Sequence, residues 1–345
     1  MSTTGNRTLW MAVVGLFILV LFAANLWYGS VWLAWRDVWG ILTGNPLVDP
    51  VSQVIVLQYR LPQAITALAV GMALSVAGLL LQTTFGNPLA GPSVLGISSG
   101  ASFGVALVLL FGGVSGIYLV SNDWLYRDFL MVVAALAGAL IVLSVIVFVS
   151  SRIGHAVTVL IIGIMIGYLV SAAVGTMQFY SSSQDLQAYV LWGLGSFSKT
   201  SLSQALGLLF GILLTSASAF WFIRPLNALL LGESYARSTG FNTRLVQRSL
   251  ILISGILIAL GTAFTGPIAF IGLAVPHLAR TFFNTSNHRV LLPAVLLFGA
   301  ALSLLCNLIA RLPGWDSSLP INAVTSVIGA PIVIWVIIKG RSYGK

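Results

Sequence analysis

Long apolar stretches alternate along the chain with short segments that hold nearly all of its charged residues. Eight stretches contain no Asp, Glu, Lys or Arg, and the shortest of them, 290–310, is 21 residues long. A helix needs about 20 apolar residues to cross a bilayer, at 1.5 Å of rise per residue. A membrane β-barrel would instead show alternating segments of roughly ten residues. The pattern therefore predicts an all-α, polytopic membrane protein.

Two of the charge-free stretches are too long for one helix, and each contains its own helix breakers. Gly-Asn-Pro at 86–88 and Gly-Pro at 91–92 interrupt the stretch 61–122, and Thr-Gly-Pro at 265–267 interrupts 249–279. Proline cannot continue the interior of a helix, so each group predicts a turn. Eight stretches and two breaks predict ten transmembrane helices in a single domain, 1–345, at approximately 9–28, 51–81, 93–111, 129–150, 157–177, 202–222, 247–265, 267–280, 290–310 and 322–338.

The predicted helix at 267–280 is short for a transmembrane span. It covers about 20 Å by helical rise, against a hydrocarbon core of about 30 Å. Whether it crosses the whole membrane therefore stays open.

Small residues recur at helical spacing in three of the predicted helices. Glycines lie four residues apart at 96, 100 and 104, at 163 and 167, and at 207 and 211. Such a ridge of small side chains lets a neighbouring helix approach closely in a membrane. The glycines predict tight packing at these faces and say little about function.

Composition excludes a water-soluble protein. Only 7% of the residues are charged and 58% are hydrophobic, whereas about a quarter of the residues of a soluble protein are charged. If the N-terminus is cytoplasmic, eleven basic residues fall inside and five fall outside, as the positive-inside rule requires. We therefore expect both termini in the cytoplasm. The net charge of +9 is scattered between the spans, which argues against nucleic acid as a partner.

The residue types that usually perform catalysis or bind metals are few and scattered. No predicted helix carries an acidic residue at membrane depth, where proton pumps and many ion-coupled transporters place one. The single cysteine, Cys306, lies in an apolar stretch, and the three histidines lie at or near predicted cytoplasmic helix ends: His155, His277 and His288. We therefore predict no catalytic residue and no metal site in this chain.

One stretch partly matches a phosphate-binding loop. Residues 193–200 have the first glycine, the lysine and the threonine of the G-x-x-x-x-G-K-T pattern, but Ser198 replaces the second glycine. The stretch also falls in a predicted external loop, without a preceding buried strand. We expect this chain to bind no nucleotide or other cofactor, so that any ATP is bound by a partner subunit.

The longest predicted cytoplasmic segment, 223–248, contains the signals of a short helix. Gly232 and Glu233 can start it, because an acidic residue is favourable near a helix N-terminus, and Gly240 can stop it. A short helix between two spans is suited to docking in a groove of a partner protein. The alternative is a solvated connector without a partner.

A series of motifs, in order from about residue 58 to 338, carries a resemblance to a known family. The motifs are Arg60-Leu61-Pro62, Asn87-Pro88-Leu89-Ala90, the segment from Leu95 to Ala101, that from Trp192 to Ser196, that from Leu231 to Gly240, that from Gly266 to Leu273 with Val275-Pro276-His277, His288-Arg289, and Leu319-Pro320 through Ala330-Pro331. Together they resemble the FecCD-type permeases, the membrane subunits of type II ABC importers for ferric siderophores, haem and cobalamin. That family has ten helices per subunit, which agrees with the count above.

The resemblance implies the type II importer permease fold and an ATP-driven importer, of which this chain is the membrane-spanning permease subunit. Its partners would be a second permease subunit, identical or homologous, and two cytoplasmic ATPase subunits that bind ATP and magnesium. A periplasmic or lipid-anchored binding protein would deliver a bulky metal chelate. The complex would lie among the lipids of the bacterial plasma (inner) membrane. The sequence does not separate ferric siderophore, haem and cobalamin.

The same resemblance assigns a docking role to two arginines. Arg60 and Arg311 match external arginines that pair with glutamates of the binding protein. Gln63 stands where a second arginine is common after the Leu-Pro pair, so docking would involve fewer charges here. The alternative for Arg60 is an interfacial arginine that only reaches toward the membrane surface.

The resemblance also implies a gate and a coupling helix on the cytoplasmic side. Asn87 and Leu89 match the cytoplasmic gate, and the loop from His155 to Thr158 matches a second gate region. The helix that seats on the ATPase is matched by Leu231, Gly232, Glu233, Ala236, Arg237 and Gly240.

We expect the transport pathway between the two permease subunits, lined mainly by the fifth helix and the loop at 178–200. The fifth helix is apolar and glycine-rich, and no charge is buried. In this hypothesis ATP closes the partner subunits, shifts the coupling helix and swings the gate loops, so that access alternates. Two other classes stay open: an ATP-independent channel or ion-coupled carrier, and a membrane scaffold or assembly subunit. An ATPase that co-purifies with the chain would separate the importer from both.

Overall fold

The computed structural model of the protein describes residues 3–44, 49–111, 124–152, 156–311 and 318–342. Every regular element within these ranges is a helix. Seven helical segments of the described residues are long and apolar enough to cross a membrane, and two shorter apolar helices accompany them. The prediction of an all-α membrane protein is therefore confirmed.

The helices follow one another in a simple order. They are α1 (Thr3–Trp27), α2 (Trp35–Leu42), α3 (Pro50–Val54), α4 (Leu61–Thr84), α5 (Ile97–Leu109), α6 (Trp124–Arg152), α7 (Ala156–Tyr180), α8 (Ser183–Gly193), α9 (Leu202–Ala219), α10 (Ile223–Leu229), α11 (Glu233–Ser238), α12 (Thr243–Thr265), α13 (Ile271–Phe283), α14 (His288–Ala310) and α15 (Ile321–Ser342). A π-helical segment, Ile55–Arg60, joins α3 to α4 without a break, and 3₁₀ turns lie at Pro92–Leu95 and Phe220–Phe222. Each of the ten predicted ranges contains a helix: α1, α3 with α4, α5, α6, α7, α9, α12, α13, α14 and α15.

α13 starts later than predicted because the backbone before it forms a hydrogen bond with a residue that is distant in the sequence. The helix begins at Ile271, later than expected. Gly266 and Phe270 have positive φ, 75° and 65°, and the chain between them is extended. Asn322 stabilises this segment, since its Oδ1 accepts from the backbone N–H of Ala269 at 2.9 Å. The 13 residues of α13 cover about 20 Å, so α13 is shorter than a full span.

Three short helices, α2, α8 and α10, are absent from the prediction, and α12 begins earlier than predicted. α2 and α8 have 8 and 11 residues, below the length of a span. At the start of α8, Ser182 Oγ accepts from the backbone N–H of Asp185 at 3.2 Å. Asn242 Oδ1 accepts from the N–H of Leu245 at 3.2 Å, and this cap lets α12 begin at Thr243 instead of 247.

α4 is the central helix of the bundle. Only Leu61 and Leu68 of its 24 residues are not buried. α1, α9, α12, α13 and α14 pack around it. The outward faces of α6, α7 and α9, by contrast, expose large apolar side chains such as Phe148, Leu169 and Phe210. The protein therefore has a closely packed centre and a periphery that faces lipid or another subunit.

Contacts between glycine backbones bring the neighbours of α4 close. A Cβ atom on Gly78 would overlap the carbonyl oxygen of Gly272 in α13, and one on Gly71 would overlap that of Gly299 in α14. The predicted glycine ridge on α5 packs against α6 in the same way, whereas a Cβ on Gly207 would have no neighbour within 4 Å. Helices in lipid associate largely through such packing, so these contacts determine which helices surround α4.

Replacing Gly78 by alanine is expected to destabilise the protein by about 1–3 kcal/mol, because the added methyl group must displace the backbone of α13. The matched control is Gly207→Ala in α9, which adds the same methyl group where the space is empty. That variant should be neutral or slightly stabilised, since alanine is the better helix former. Thermal unfolding in detergent compares the two, and equal unfolding temperatures would contradict the packing described here.

Candidate functional site

The predicted coupling segment folds into two short helices joined by a tight turn. α10 ends at Leu229, whose carbonyl accepts from the N–H of Gly232 at 3.0 Å. Gly232 has a φ of 106°, which L side chains rarely adopt, and α11 starts directly after it. Gly240, with a φ of 88°, closes the turn after α11. Both glycines that the sequence singled out thus have a conformational reason to be glycine.

Glu233 and Arg237 fasten α11 to the start of α12. Arg237 Nη2 donates to Glu233 Oε1 at 2.6 Å across one helical turn. The hydroxyl of Thr243, the first residue of α12, donates to Glu233 Oε1 at 3.2 Å and accepts from Arg237 Nε at 3.1 Å. A surface ion pair alone contributes little stability. Three mutually bonded side chains nevertheless fix the orientation of α11 relative to α12.

α11 buries Ala236, whereas Tyr235 of α11 and Leu231 of the turn before it are exposed. Ala236 is 1% exposed, whereas Leu231 and Tyr235 are 67% and 48% exposed. Large apolar side chains that lie together at a surface are typical of a contact with another molecule. The segment predicted to couple to an ATPase therefore presents an apolar surface in an orientation fixed by the rest of the chain.

Arg60 lies at the predicted outer end of α4 and is bonded within the chain. The residue is 4% exposed. Its Nη1 donates to the carbonyls of Leu26 at 3.0 Å and Trp27 at 2.6 Å, and its Nη2 donates to that of Val31. The last carbonyls of a helix lack partners within it. In this conformation Arg60 therefore caps the end of α1, and its docking role stays a prediction.

Arg311, the other predicted docking residue, belongs to a polar network at the same end. Its Nη1 donates to Gln63 Oε1 at 3.0 Å, and its Nη2 donates to Asn25 Oδ1 at 2.8 Å. Asn307 accepts from Gln63 Nε2 at 3.0 Å and donates to Asn25 Oδ1 at 2.8 Å. The network joins α1, α4 and α14. Gln63, which departs from the family pattern, is thus the direct partner of Arg311.

A cavity of about 310 Å³ opens beside this network, with Gln63, Asn307 and Lys199 in its lining. Lys199 lies in the loop between α8 and α9. Burial lowers the pKa of Lys199 below its ordinary value, and the carboxylate of Asp128 opposes this shift. Three of the five basic residues predicted outside therefore lie around this network: Arg60, Lys199 and Arg311.

The predicted gate residues Asn87 and Leu89 lie in one turn after α4. Asn87 Oδ1 accepts from the N–H of Leu89 at 2.9 Å, which closes a local Asx turn, and Leu89 is 49% exposed. The carbonyl of Pro88 lies 2.9 Å from Nε2 of His277 in α13. The structure thus brings the two residues together in an exposed turn that is attached to α13.

A polar cluster that the sequence analysis missed lies beside the gate turn. Gln82 Oε1 accepts from Arg280 Nη1 at 2.6 Å. Thr83 Oγ1 lies 2.9 Å from His288 Nε2, and the N and Nδ1 atoms of His288 each lie 2.9 Å from Asn227 Oδ1. The cluster joins the end of α4 to α13, α14 and α10. Its signal in the sequence is a run of three polar residues at the end of an otherwise apolar helix.

α7, which was predicted to line the pathway, is largely exposed. Thr158 lies half-buried in its first turn, and His155, the other residue of the second gate region, lies outside the described residues. A recess of about 270 Å³ opens between α5, α7 and α8, lined by Ser99, Ser102, Ser171, Val174, Gln178 and Tyr189. Most of this lining can form hydrogen bonds, so the recess differs from the apolar remainder of α7.

Comparison with known proteins places the chain in a family. Residues 16–339 match the model of the FecCD transport family. The chain is 37% identical over 328 residues to the hemin transport system permease protein HmuU of Yersinia pestis, which covers 94% of this chain and 93% of the relative. It is 31% identical over 335 residues to the vitamin B12 import system permease protein BtuC of Shigella boydii, with coverage of 96% and 95%.

Solved structures show the same fold. A structure described as an inward-facing conformation of a metal-chelate type ABC transporter matches with a TM-score of 0.81 and 30% identity, over 95% of this chain and 98% of the other. PsaBC from Streptococcus pneumoniae, in complex with Fab, matches with a TM-score of 0.54 and 16% identity, over 80% and 89%. The second likeness concerns the fold alone. From sequence and fold together, the chain belongs to the FecCD transport family.

Proposed function

We propose that this chain is the membrane-spanning permease subunit of an ATP-driven ABC importer, which carries a bulky metal chelate into a bacterial cytoplasm. The observation that carries the proposal is the exposed apolar surface formed by Tyr235 of α11 and Leu231 of the turn before it. α11 is fastened to the long helix α12. The names of the relatives support the substrate class. One is a hemin permease, one is a vitamin B12 permease, and hemin and vitamin B12 are both bulky metal complexes.

Two cytoplasmic ATPase subunits, which bind ATP and magnesium, dock on α11 in this proposal. A short helix that inserts into a groove of its partner uses exposed side chains as anchors, and Leu231 and Tyr235 supply them. The bonds among Glu233, Arg237 and Thr243 pass a displacement of α11 to α12. α12 packs against α4, α6 and α9, so the displacement reaches the centre of the bundle.

A second permease subunit, identical or homologous, covers the exposed face of α7 and encloses the pathway. Sites that enclose a whole small-molecule ligand measure about 300–1,000 Å³, so the recess of about 270 Å³ between α5, α7 and α8 has room for one arm of a chelate. The remaining surface of α7 is apolar. Contacts of this kind hold the chelate weakly, which suits a site that must release it when the gate turn at 86–90 opens.

A periplasmic or lipid-anchored binding protein delivers the chelate at the outer end. Basic side chains there attract an acidic docking surface and raise the rate of association. Arg60 can pair with a glutamate only after its guanidinium leaves the carbonyls of α1. Docking through Arg60 would therefore uncap α1, whereas Arg311 would have to leave Gln63 and Asn25.

The proposal is tested by ATP hydrolysis in liposomes. The chain is co-expressed with its candidate ATPase, and the hydrolysis rate is measured with and without the loaded candidate binding protein. Hydrolysis that rises with the loaded binding protein supports an importer of the inner membrane. An absence of any complex and of any activity would return the chain to the channel, carrier or scaffold classes.

Changing Leu231 to aspartate is expected to weaken ATPase binding by about tenfold, because a charge then lies where an apolar anchor is buried in the partner. The control is Val51→Asp in α3, an equally exposed residue at 64%, which lies on the predicted outer side and should have no effect. Affinity is measured with purified ATPase and the permease in nanodiscs. Equal affinities for both variants would argue against docking at α11.

Changing Arg60 to glutamine separates its two roles. If Arg60 caps α1, the loss of its charged hydrogen bonds lowers the unfolding free energy by about 1–3 kcal/mol. The control is Arg36→Gln, an exposed arginine in α2, which should leave stability unchanged. Thermal unfolding and affinity for the binding protein are measured on both variants. Unchanged stability with lost affinity would show that Arg60 serves docking instead.

A further inference from the structure

We propose that Asn227 and His288 are positioning residues that carry the movement of the coupling segment to the gate turn. The inference rests on the proposed function, because it takes α11 as the ATPase contact and residues 86–90 as the gate. A continuous series of hydrogen bonds connects the two places, through the end of α10, the start of α14 and the end of α4.

The first part of the series lies within the coupling segment. The N–H of Leu231 donates to Ala228 O at 3.1 Å, and that of Gly232 donates to Leu229 O at 3.0 Å. These bonds hold the end of α10 against the start of α11, so that the two short helices move together. Asn227 lies in the same turn of α10 and is half-buried.

Asn227 then fastens α10 to the first residue of α14. Its Oδ1 accepts from the N and the Nδ1 of His288, each at 2.9 Å, and its Nδ2 donates to Asn287 Oδ1 at 3.1 Å. The backbone N–H of His288 is one of the first-turn donors that have no partner within the helix. Asn227, a residue of α10, therefore caps the N-terminus of α14. Any shift of α10 displaces His288 directly, and His288 is 0% exposed.

His288 in turn forms a hydrogen bond with α4. The amide oxygen of Asn227 can only accept, so Nδ1 carries the proton, and Nε2 of the neutral ring accepts from the hydroxyl of Thr83 at 2.9 Å. Thr83 Oγ1 also lies 3.0 Å from Leu79 O, a second acceptor for the same proton. The hydroxyl stays satisfied when it turns away from His288, and the cost of an unpaired buried donor is avoided. This contact can break and re-form easily.

The gate turn is bonded to Thr83, which His288 contacts, and to the neighbouring Gln82. The N–H of Gly86 donates to Thr83 O at 3.3 Å, and that of Asn87 donates to Gln82 O at 3.1 Å. A shift of the last turn of α4 therefore moves the start of the gate turn.

A second series of hydrogen bonds also starts at Asn227. It runs through Asn287, Thr285 and Arg280 to Gln82, and it does not include His288.

The test measures the accessibility of the gate turn in the full complex with its ATPase, in nanodiscs. Leu89→Cys places a thiol in the exposed turn, and the natural cysteine, Cys306, is 0% exposed. The rate of labelling by a water-soluble maleimide is measured without nucleotide and with ATP plus vanadate. Asn227→Ala is expected to reduce the ATP-dependent change in this rate at least about threefold, while ATPase binding stays close to that of the parent. The unfolding temperature should fall by a few degrees, because α14 loses the cap that Asn227 supplies.

Three further variants separate a transmitted movement from a local loss of structure. Asn227→Asp keeps an acceptor oxygen and should retain the response to ATP. Thr83→Val cuts the series at its other end and should reproduce Asn227→Ala, with no further loss in the double variant. Thr285→Ala removes a hydroxyl that accepts from the N–H of Asn287 at 3.2 Å. It cuts the second series and leaves the one through His288 intact, so it should keep the response.

The outcomes distinguish the inference from the proposed function. A full response to ATP in both Asn227→Ala and Thr83→Val overturns the inference and leaves the proposed function standing. A response lost equally in Thr285→Ala also overturns it, because any disturbance at the start of α14 would then suffice. If ATP does not change the labelling rate of Leu89→Cys in the otherwise unchanged chain, the proposed gate and its control by ATP are wrong. The inference then fails with them. Should Asn227→Ala not assemble, Thr83→Val decides alone.

Discussion

Lipid tails are as apolar as helix side chains, so the hydrophobic effect does not drive transmembrane helices together. The stability of a membrane bundle depends instead on how closely its helix backbones can approach one another. In this protein two such close approaches lie along α4, where Gly78 meets α13 and Gly71 meets α14 without an intervening side chain. The two ends that are proposed to function in docking and gating both adjoin α4. Arg60 directly precedes α4, and the gate turn directly follows α4. A tightly packed helix that cannot bend or slide freely therefore connects the two sides of the membrane.

Two polar clusters lie at opposite ends of this packed centre, and the hydroxyl of Ser75 is buried between them. The outer network connects Gln63 of α4 to Arg311, and the inner cluster connects Thr83 of α4 to His288. Hydrogen bonds between membrane helices contribute only about 0.6–2 kcal/mol each. At that strength they select one arrangement of α1, α10 and α14 around α4 without making it permanent. A transporter that must change conformation is served by contacts of this strength at its ends and by glycine packing between them.

The bundle could be predicted from sequence because charge is excluded from lipid, and each span therefore shows as a charge-free stretch. α8 was missed since a short, half-polar helix has no such signature. α13 began late because Asn322, distant in the chain, holds the extended residues before it. Part of the candidate site could likewise be predicted from sequence, and part could not. Glycines at sharp turns, such as Gly232, could be recognised locally, whereas the contact of Asn227 with His288 joins residues 61 positions apart and leaves no local pattern.

α7 and α8 lie outside the packed centre, so substitutions in their exposed faces leave the contacts of α4 intact. Surface changes of this kind usually alter stability by less than about 0.5 kcal/mol. The recess that contains Ser171 and Gln178 can therefore accumulate changes of shape and polarity while the fold persists. If the cargo passes along this face, as proposed, substitutions here can adapt the chain to a new cargo, whereas the glycines beside α4 tolerate almost no variation.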